Sequence, residues 1–308
     1  MERLFITGIT GAAGGNLALA LAERFEVLGI SFDEAVEAEG IQTARCPLSN
    51  PSKLASLALE FRPDWIIQCG PASTSSWDAG SAVVPNRNEL RAVAVLLESA
   101  AQLKCRLTVL STDAILAGPR MFHEEACPAA SESALAQHAR DVEKYLEPSS
   151  ALVVRTHVYG WSPAGQSFAE RTCEALACGA AHHADGCRHA TPILATDLAP
   201  RLLRAYELGL EGLYHISGAE RTSPHRFASE LASALGYQPR RALSAAAPSQ
   251  PSQHDETSLN CRRARRALDM PMPMLREGLE RFAQQAQSDW RSKCRLADHS
   301  TLTYQPAA

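Results

Sequence analysis

Short apolar runs alternate with longer amphipathic stretches through the first half of the chain. The runs are about five residues long and rich in Val, Ile and Leu, which is typical of strands buried on both faces of a parallel sheet. The stretches between them have the length and periodicity of helices, and this alternation favours repeated β-α-β units. The predicted strands are 4–7, 27–31, 65–69, 106–111 and 151–156, and the predicted helices are 15–24, 51–61, 89–102 and 132–146.

The alternation is less regular after residue 160. The elements predicted there are helices at 168–177, 197–208, 224–235 and 274–288 and a strand at 212–216. A stretch rich in Ala, Ser, Pro and Gln at 244–253 predicts a flexible loop. The predicted fold class is therefore α/β: a doubly wound parallel (Rossmann) sheet over 1–160, a smaller C-terminal substrate lobe over 161–290 with segments allowed to interleave, and a tail over 291–308.

A glycine-rich turn directly follows the first predicted strand. The segment Thr7-Gly8-Ile9-Thr10-Gly11-Ala12-Ala13-Gly14 precedes a predicted helix, an arrangement that places a pyrophosphate on free N–H groups at the helix N-terminus. In this pattern the first glycine permits a tight turn, the second lets a dinucleotide approach, and the third lets helix and strand pack closely. We therefore expect NAD or NADP to bind here; a turn kept only for packing is the alternative. The predicted contacts are Gly8, Thr10, Gly11, Ala12, Ala13, Gly14, Ser31, Cys69 and Gly70.

The end of the second predicted strand leaves the choice between NAD and NADP open. An acidic residue there binds the adenosine ribose hydroxyls, whereas a nearby Arg favours a 2′-phosphate. Ser31 stands at the expected position, Asp33 follows shortly after it, and no Arg comes close behind.

Composition and charge narrow the class of partner. The 308-residue chain has a net charge of −4 and no run of Lys or Arg at either end, so we expect neither a nucleic-acid nor an anionic-membrane partner. The basic cluster Arg262, Arg263, Arg265 and Arg266 is interpreted as a solvated helix face. No apolar stretch reaches the roughly 18–20 residues of a membrane span, and no signal-peptide pattern precedes the first strand. A cytoplasmic location is the resulting expectation.

The nine cysteines do not predict a disulfide framework in a chain of this size and location. Their densest stretch also contains histidines, but it has neither the Cys-x-x-Cys nor the His-x-x-x-His pair typical of structural zinc sites. We therefore expect no metal ion there. The residues concerned are Cys173, Cys178, His182, His183, Cys187 and His189.

Several segments, in order along the chain, resemble the extended short-chain dehydrogenase/reductase family. They are the first strand with its glycine turn, Leu110-Ser111-Thr112-Asp113, and Val154-Arg155-Thr156-His157-Val158-Tyr159-Gly160, followed by parts of 185–199, 212–218 and 257–260. Within the family the similarity is greatest to dTDP-4-dehydrorhamnose reductases and their sugar-nucleotide-reductase relatives. The resemblance implies an NAD(P)-dependent oxidoreductase that acts on a carbonyl or alcohol of a small metabolite or sugar derivative.

The catalytic pair of that family is absent from the helix where the resemblance places it. In the family a Ser or Thr after the fourth strand works with a Tyr-x-x-x-Lys on the next helix, and the Lys lowers the pKa of the Tyr that transfers the proton. Here the expected Tyr and Lys positions hold Ala134 and His138. No other register along 132–145 restores the pair, because Tyr145 directly follows Lys144 and adjacent helical residues point apart.

The implied site is therefore atypical, and its catalytic candidates are Ser111, Thr112, Asp113 and His138. The first three are expected to polarise a carbonyl. The His138 imidazole is expected to replace the missing proton donor, because it lies one helical turn after Ala134 and histidine titrates near neutral pH. The alternative is that His138 is a surface residue of the helix with no catalytic role.

Three functions remain open at this point. The first is an NAD(P)-dependent oxidoreductase with a non-standard proton donor. The second is a dinucleotide-binding protein without redox chemistry, such as a regulatory subunit with an enzyme partner. The third is a non-redox lyase, cyclase or epimerase on the same scaffold, because a fold does not fix its chemistry. A small-molecule substrate is the expected partner, with a homodimer or an enzyme partner as further candidates.

Overall fold

Seven parallel strands form the central sheet in a computed structural model that describes residues 1–78, 87–128, 130–178, 186–237 and 256–297. The strands of this sheet are β1 (Glu2–Thr7), β2 (Phe25–Ser31), β4 (Gln42–Arg45), β5 (Trp65–Gln68), β6 (Arg106–Thr112), β7 (Leu152–Thr156) and β10 (Gly212–His215). The shorter strands β3 (Val36–Ala38), β8 (Val158–Tyr159), β9 (Ile193–Leu194) and β11 (Cys294–Leu296) form two small sheets. The predicted loop at 244–253, the predicted tail from 298, and His182, His183 and Asp185 lie outside the described residues.

Helices cover both faces of the central sheet. They are α1 (Ala12–Leu21), α2 (Pro51–Phe61), α3 (Arg87–Leu103), α4 (Ala134–Leu146), α5 (Phe168–Ala177), α6 (Ala195–Leu208), α7 (Pro224–Ala234), α8 (Arg262–Leu268) and α9 (Leu275–Gln287). One hydrophobic core lies between the sheet and α1, α6 and α8, and a second lies between the sheet and α2, α3 and α4. This arrangement confirms the predicted doubly wound α/β fold.

The strand order creates a crevice beside the glycine turn. The sheet runs β10-β7-β6-β5-β1-β2-β4, and every neighbouring pair in it is parallel. The chain moves outward from β1 to β2 and β4, then returns to the other side of β1 as β5. The helices that follow β1 and β5 therefore cover opposite faces, and the carboxyl ends of these strands open the crevice in which such sheets bind ligands.

Helix caps explain why two helices begin where the sequence predicts. The side chain of Asn50 accepts a hydrogen bond of 3.1 Å from the backbone N–H of Lys53, and Pro51 occupies the first turn of α2. Ser167 and Glu170 form a reciprocal capping box at the start of α5. Both residue pairs satisfy N–H groups that a helix start otherwise leaves free, so these two starts are fixed locally.

The C-terminal lobe has an aromatic core of its own. It joins α5, α7 and α9 beside the β8–β9 pair. Trp161 stacks on Phe282 with ring centroids 4.1 Å apart, and Phe227 packs edge-on against Tyr159. The second half of the chain also contributes to the sheet side, because β10 joins the central sheet and α6 and α8 pack into its core.

Part of the predicted tail belongs to the folded body. Cys294–Leu296 forms β11 and pairs antiparallel with β3. The assignment of a tail from residue 291 is therefore corrected for residues 291–297, which a pairing with a distant strand holds in place. Neither β3 nor β11 was predicted, because strands of three residues are too short to show a hydrophobic period.

The charge pattern on α8 agrees with its interpretation from the sequence. Its four arginines are exposed, while Ala264 and Leu268 face the core. The solvated helix face is thus confirmed. Within the described ranges, no helix combines the length and the apolar character that crossing a membrane requires.

Candidate functional site

The glycine turn forms a backbone cradle after β1. Gly8 has a φ of +69°, and a Cβ there would overlap the carbonyl oxygen of Cys69. A Cβ on Gly14 would overlap the carbonyl oxygen of Gly8. Gly11 differs, because it has a φ of −85° and its Cβ would come no closer than 3.5 Å to the protein. Gly8 and Gly14 are thus required by packing, whereas Gly11 leaves free space over the start of α1.

A cleft of about 730 Å³ opens beside this cradle at the carboxyl edge of the sheet. All but one of the predicted cofactor contacts line it: Gly8, Thr10, Gly11, Ala12, Ala13, Gly14, Cys69 and Gly70. The exception, Ser31, is 1% exposed, and its carbonyl oxygen accepts a hydrogen bond from the backbone of Cys46. Phe32 and Asp33 line the cleft in its place. The acidic side chain at this end of the cleft is therefore that of Asp33.

The far end of the cleft is polar and carries an ion pair. Ser75, Ser162 and Gln166 line it together with Asp78 and Arg171. Asp78 accepts hydrogen bonds from the backbone of residue 168 and from Arg171. Burial raises the pKa of Asp78, and the nearby positive charges offset this only in part. Arg171 is the only basic side chain among the described lining residues.

His138 forms a buried hydrogen-bonded pair with Glu89 behind the cleft wall. Its Nε2 is 2.7 Å from the Glu89 carboxylate, and the two side chains are 8% and 2% exposed. Glu89 also accepts from the backbone N–H of Ala72, in the loop that follows β5. The pair thus holds the loop that follows β5, and Gly70 and Pro71 of this loop line the cleft. His138 is absent from the lining residues, and its role as a proton donor stays a prediction.

Ser111 belongs to a different buried pair. Its hydroxyl donates a hydrogen bond of 2.6 Å to Glu143, which also pairs with both the Nε and Nη2 atoms of Arg155. This bidentate geometry joins α4 to β6 and β7. The contacts of Ser111 therefore differ from those of Thr112, the last residue of β6, and of Asp113, which follows it. The catalytic role of Ser111 remains a prediction.

Asp113 is the centre of a buried hydrogen-bond network. One carboxylate oxygen is 2.7 Å from Nδ1 of His157 and also accepts from the hydroxyls of Ser76 and Thr257. The other oxygen accepts from the backbone N–H of Ser76, at 2.9 Å, and is 3.3 Å from the hydroxyl of Thr112. Burial alone would raise the pKa of Asp113, but His157 and the hydroxyls outweigh it and hold the pKa below its usual value.

This network joins segments that are far apart in the sequence. Thr112 also donates to the carbonyl of Thr74, while Ser75 donates to that of Val158. Thr74, Ser75 and Val158 line the cleft. The network therefore lies directly behind the polar end of the cleft. His157, a member of the network, immediately precedes Val158 of the cleft wall in the sequence.

His157, Ser76, Thr257 and Asp78 are functional candidates that the sequence did not single out. His157 directly follows β7, and the carboxyl ends of parallel strands gather at one edge of a sheet, so this rule alone would have selected it. Ser76 and Thr257 had no such signal, because nothing local in the sequence brings them to the same edge.

Neither a metal centre nor a tyrosine is found at the cleft in the part of the chain that the structure describes. Across the described ranges, no group of three or more His, Cys, Asp or Glu side chains is placed to hold a metal ion. No Tyr is among the described lining residues. Tyr159 is buried in the aromatic core, and this burial raises its pKa well above the usual value.

The fold is similar over nearly its whole length to solved sugar-nucleotide enzymes. The dTDP-4-dehydrorhamnose reductase of Bacillus anthracis str. Ames, in complex with NADP, has a TM-score of 0.75 and 20% identity, over 92% of this chain and 99% of that chain. The UDP-glucose 4-epimerase of Thermotoga maritima, with UDP-glucose, has a TM-score of 0.75 and 17% identity, over 93% and 99%. The dTDP-glucose 4,6-dehydratase of B. anthracis, with NAD, has a TM-score of 0.74 and 14% identity, over 94% and 98%.

Sequence comparison gives one positive and one negative result. No curated protein sequence matches the chain. A family model matches it from residue 1 to residue 288, a range that contains every segment whose motifs resemble the family. That resemblance is thereby confirmed. The chain belongs to the family described as the RmlD substrate binding domain.

Proposed function

We propose that the protein is an NAD(P)-dependent oxidoreductase that acts on a carbonyl or alcohol of a sugar derivative, with a proton donor other than the family tyrosine. The observation that carries this proposal is the free space at Gly11. Packing does not require a glycine at this position, but the close approach of a dinucleotide does. The structures of relatives with NADP or NAD bound support it.

The residues at the cradle fit a dinucleotide. Gly11 begins α1 with no side-chain cap, so the N–H groups of Ala12, Ala13 and Gly14 are available to a pyrophosphate. Phe32 offers an apolar side chain toward an adenine. When bound, the nicotinamide supplies or accepts a hydride, while the residues of the polar end orient the substrate.

Asp33 is expected to favour NAD over NADP. Its carboxylate lines the adenosine end of the cleft, whereas Arg171, the one basic side chain among the described lining residues, lies at the polar end. A 2′-phosphate at the adenosine end would therefore be repelled by the negative charge of Asp33. We expect Asp33→Asn to reduce the ratio of NADP to NAD dissociation constants about tenfold, which corresponds to about 1.4 kcal/mol.

Calorimetric titration of both dinucleotides measures that ratio. The matched control is Glu34→Gln, which removes the neighbouring exposed carboxylate outside the cleft lining. An unchanged ratio in Asp33→Asn, or an equal change in Glu34→Gln, would contradict the assignment of Asp33 to the ribose.

The polar end of the cleft supports a hydroxyl-rich substrate. Its serines, Gln166 and the Asp78–Arg171 pair offer both donors and acceptors. The substrates named for the relatives provide a direct test: dTDP-4-dehydrorhamnose with NADH or NADPH, and UDP-glucose and dTDP-glucose with NAD. We expect turnover of at least one, measured by dinucleotide absorbance and product chromatography. Absence of dinucleotide binding would overturn the proposal.

A second candidate is a dinucleotide-binding subunit without redox activity. The observation that favours it is the loss of the family pair, since Ala134 has no acid–base group and His138 is tied to Glu89. This candidate predicts tight dinucleotide binding with no turnover of any of the three substrates, and a co-purifying enzyme on size-exclusion chromatography. Turnover by the isolated protein would exclude it.

A further inference from the structure

We infer that His157 is the acid–base residue of this site and that Asp113 positions it. The inference rests on the proposed function and identifies the group that replaces the missing tyrosine. It stands on the geometry of the buried network behind the polar end of the cleft.

The contacts of His157 fix the protonation of its ring. A carboxylate only accepts hydrogen bonds, so the 2.7 Å contact with Asp113 places the proton on Nδ1. In the neutral form of the ring Nε2 carries the lone pair, and it forms no hydrogen bond within the described part of the chain. An imidazole held through one nitrogen by a buried carboxylate, with the other nitrogen free, is the arrangement that orients a general base.

Asp113 is itself held from several directions. The hydroxyls of Ser76 and Thr257 donate to it at 2.7 and 2.6 Å, and the backbone N–H of Ser76 donates at 2.9 Å. With its lone pairs occupied, the carboxylate has one orientation and fixes that of His157. The edge of Trp77, with its ring centroid 4.5 Å from that of His157, restricts the imidazole further.

His157 is 2% exposed and is not itself a lining residue, but its neighbours in the chain and in space line the cleft. Val158, the next residue, lines the cleft, as do Ser75 and Asp78 on either side of the loop that contacts the imidazole. The ring therefore lies directly behind the polar wall, with Nε2 unoccupied by any residue that the structure describes. His138, by contrast, has its Nε2 occupied by Glu89.

The proton transfer balances in both directions. When an alcohol is oxidised, its O–H bond breaks and the proton moves to Nε2 of His157, the carbonyl π bond forms, and the hydride from carbon passes to the oxidised nicotinamide dinucleotide. In reduction the protonated imidazole would return the proton from Nε2 to the carbonyl oxygen, while the carbonyl carbon would accept a hydride from a bound reduced dinucleotide. Asp113 remains a carboxylate throughout and stabilises the positive ring.

His157→Asn separates proton transfer from positioning, because an Asn amide still donates to Asp113 but has no acid–base nitrogen. We expect kcat to fall by about 10²–10⁴-fold on whichever of the three sugar nucleotides the protein turns over. The dissociation constant for the dinucleotide and the melting temperature should both be unchanged. His225→Asn, on α7, is the matched control and should leave kcat unchanged. Dinucleotide binding with full turnover in His157→Asn would overturn this inference but leave the proposed function standing.

One readout does not depend on turnover. Nitrogen-15 NMR should show the Nδ1–H form of His157 in the wild type and the Nε2–H form in Asp113→Asn, whose amide donates to Nδ1. An unchanged tautomer in Asp113→Asn would overturn the inference.

Discussion

Gly11→Asp is expected to abolish dinucleotide binding while leaving the protein folded. Gly11 has a φ that any residue adopts, and a Cβ there meets nothing nearer than 3.5 Å. Aspartate is also a preferred N-cap residue, so the start of α1 should be stabilised by a few tenths of a kcal/mol. The same carboxylate would stand where a pyrophosphate is proposed to bind. We expect the affinity for NADH and NADPH to fall by at least about 100-fold, because like charges brought together cost several kcal/mol.

The controls separate charge from space at this position. Gly11→Asn has nearly the same shape and no charge, so its loss of affinity should be clearly smaller than that of Gly11→Asp. Fluorescence titration with NADH and thermal unfolding measure both effects. Retained NADH binding in Gly11→Asp would contradict the placement of the phosphates. A large fall in melting temperature would instead show that Gly11 is required by the fold.

The positions of the inner strands could be predicted from local pattern because these strands carry their own signal. Strands β5 and β7 are buried throughout and β1 is buried from Leu4 onward, and each contains three consecutive apolar residues that stand out in the sequence. The edge strand β4 has no such run, since only Ala44 of Gln42–Arg45 is buried. Backbone pairing with β2, rather than its own side chains, makes it a strand.

The site was less predictable than the cradle because its residues meet only in the folded chain. The glycine turn is a continuous segment whose geometry is local, so its residues could be assigned to the cleft in advance. The orientation of His138 depends on Glu89, which lies 49 positions away on another helix. Asp113 was predicted as a single candidate, but its partner Thr257 is 144 positions distant. Pattern and spacing carry no information about such contacts.

Glu89→Ala is expected to destabilise the protein strongly and to weaken dinucleotide binding. The substitution leaves the buried His138 and the backbone N–H of Ala72 without their shared acceptor. Each buried hydrogen-bonding group left without its partner costs about 1–3 kcal/mol. The loop that follows β5 would also lose its anchor, and Gly70 and Pro71 of that loop line the cleft. Urea unfolding measures the first effect, and NADH titration measures the second.

Glu98→Ala is the matched control, because Glu98 lies on the same helix but is exposed. Its effect on the free energy of unfolding should stay within about 0.5 kcal/mol. His138→Ala and the double variant complete a cycle, in which we expect the two single effects to be non-additive by about 1–3 kcal/mol. Additive effects, or a loss in Glu89→Ala no larger than in Glu98→Ala, would show that the pair does not hold the loop. His138 would then again be free to act as the proton donor that its place on α4 predicts.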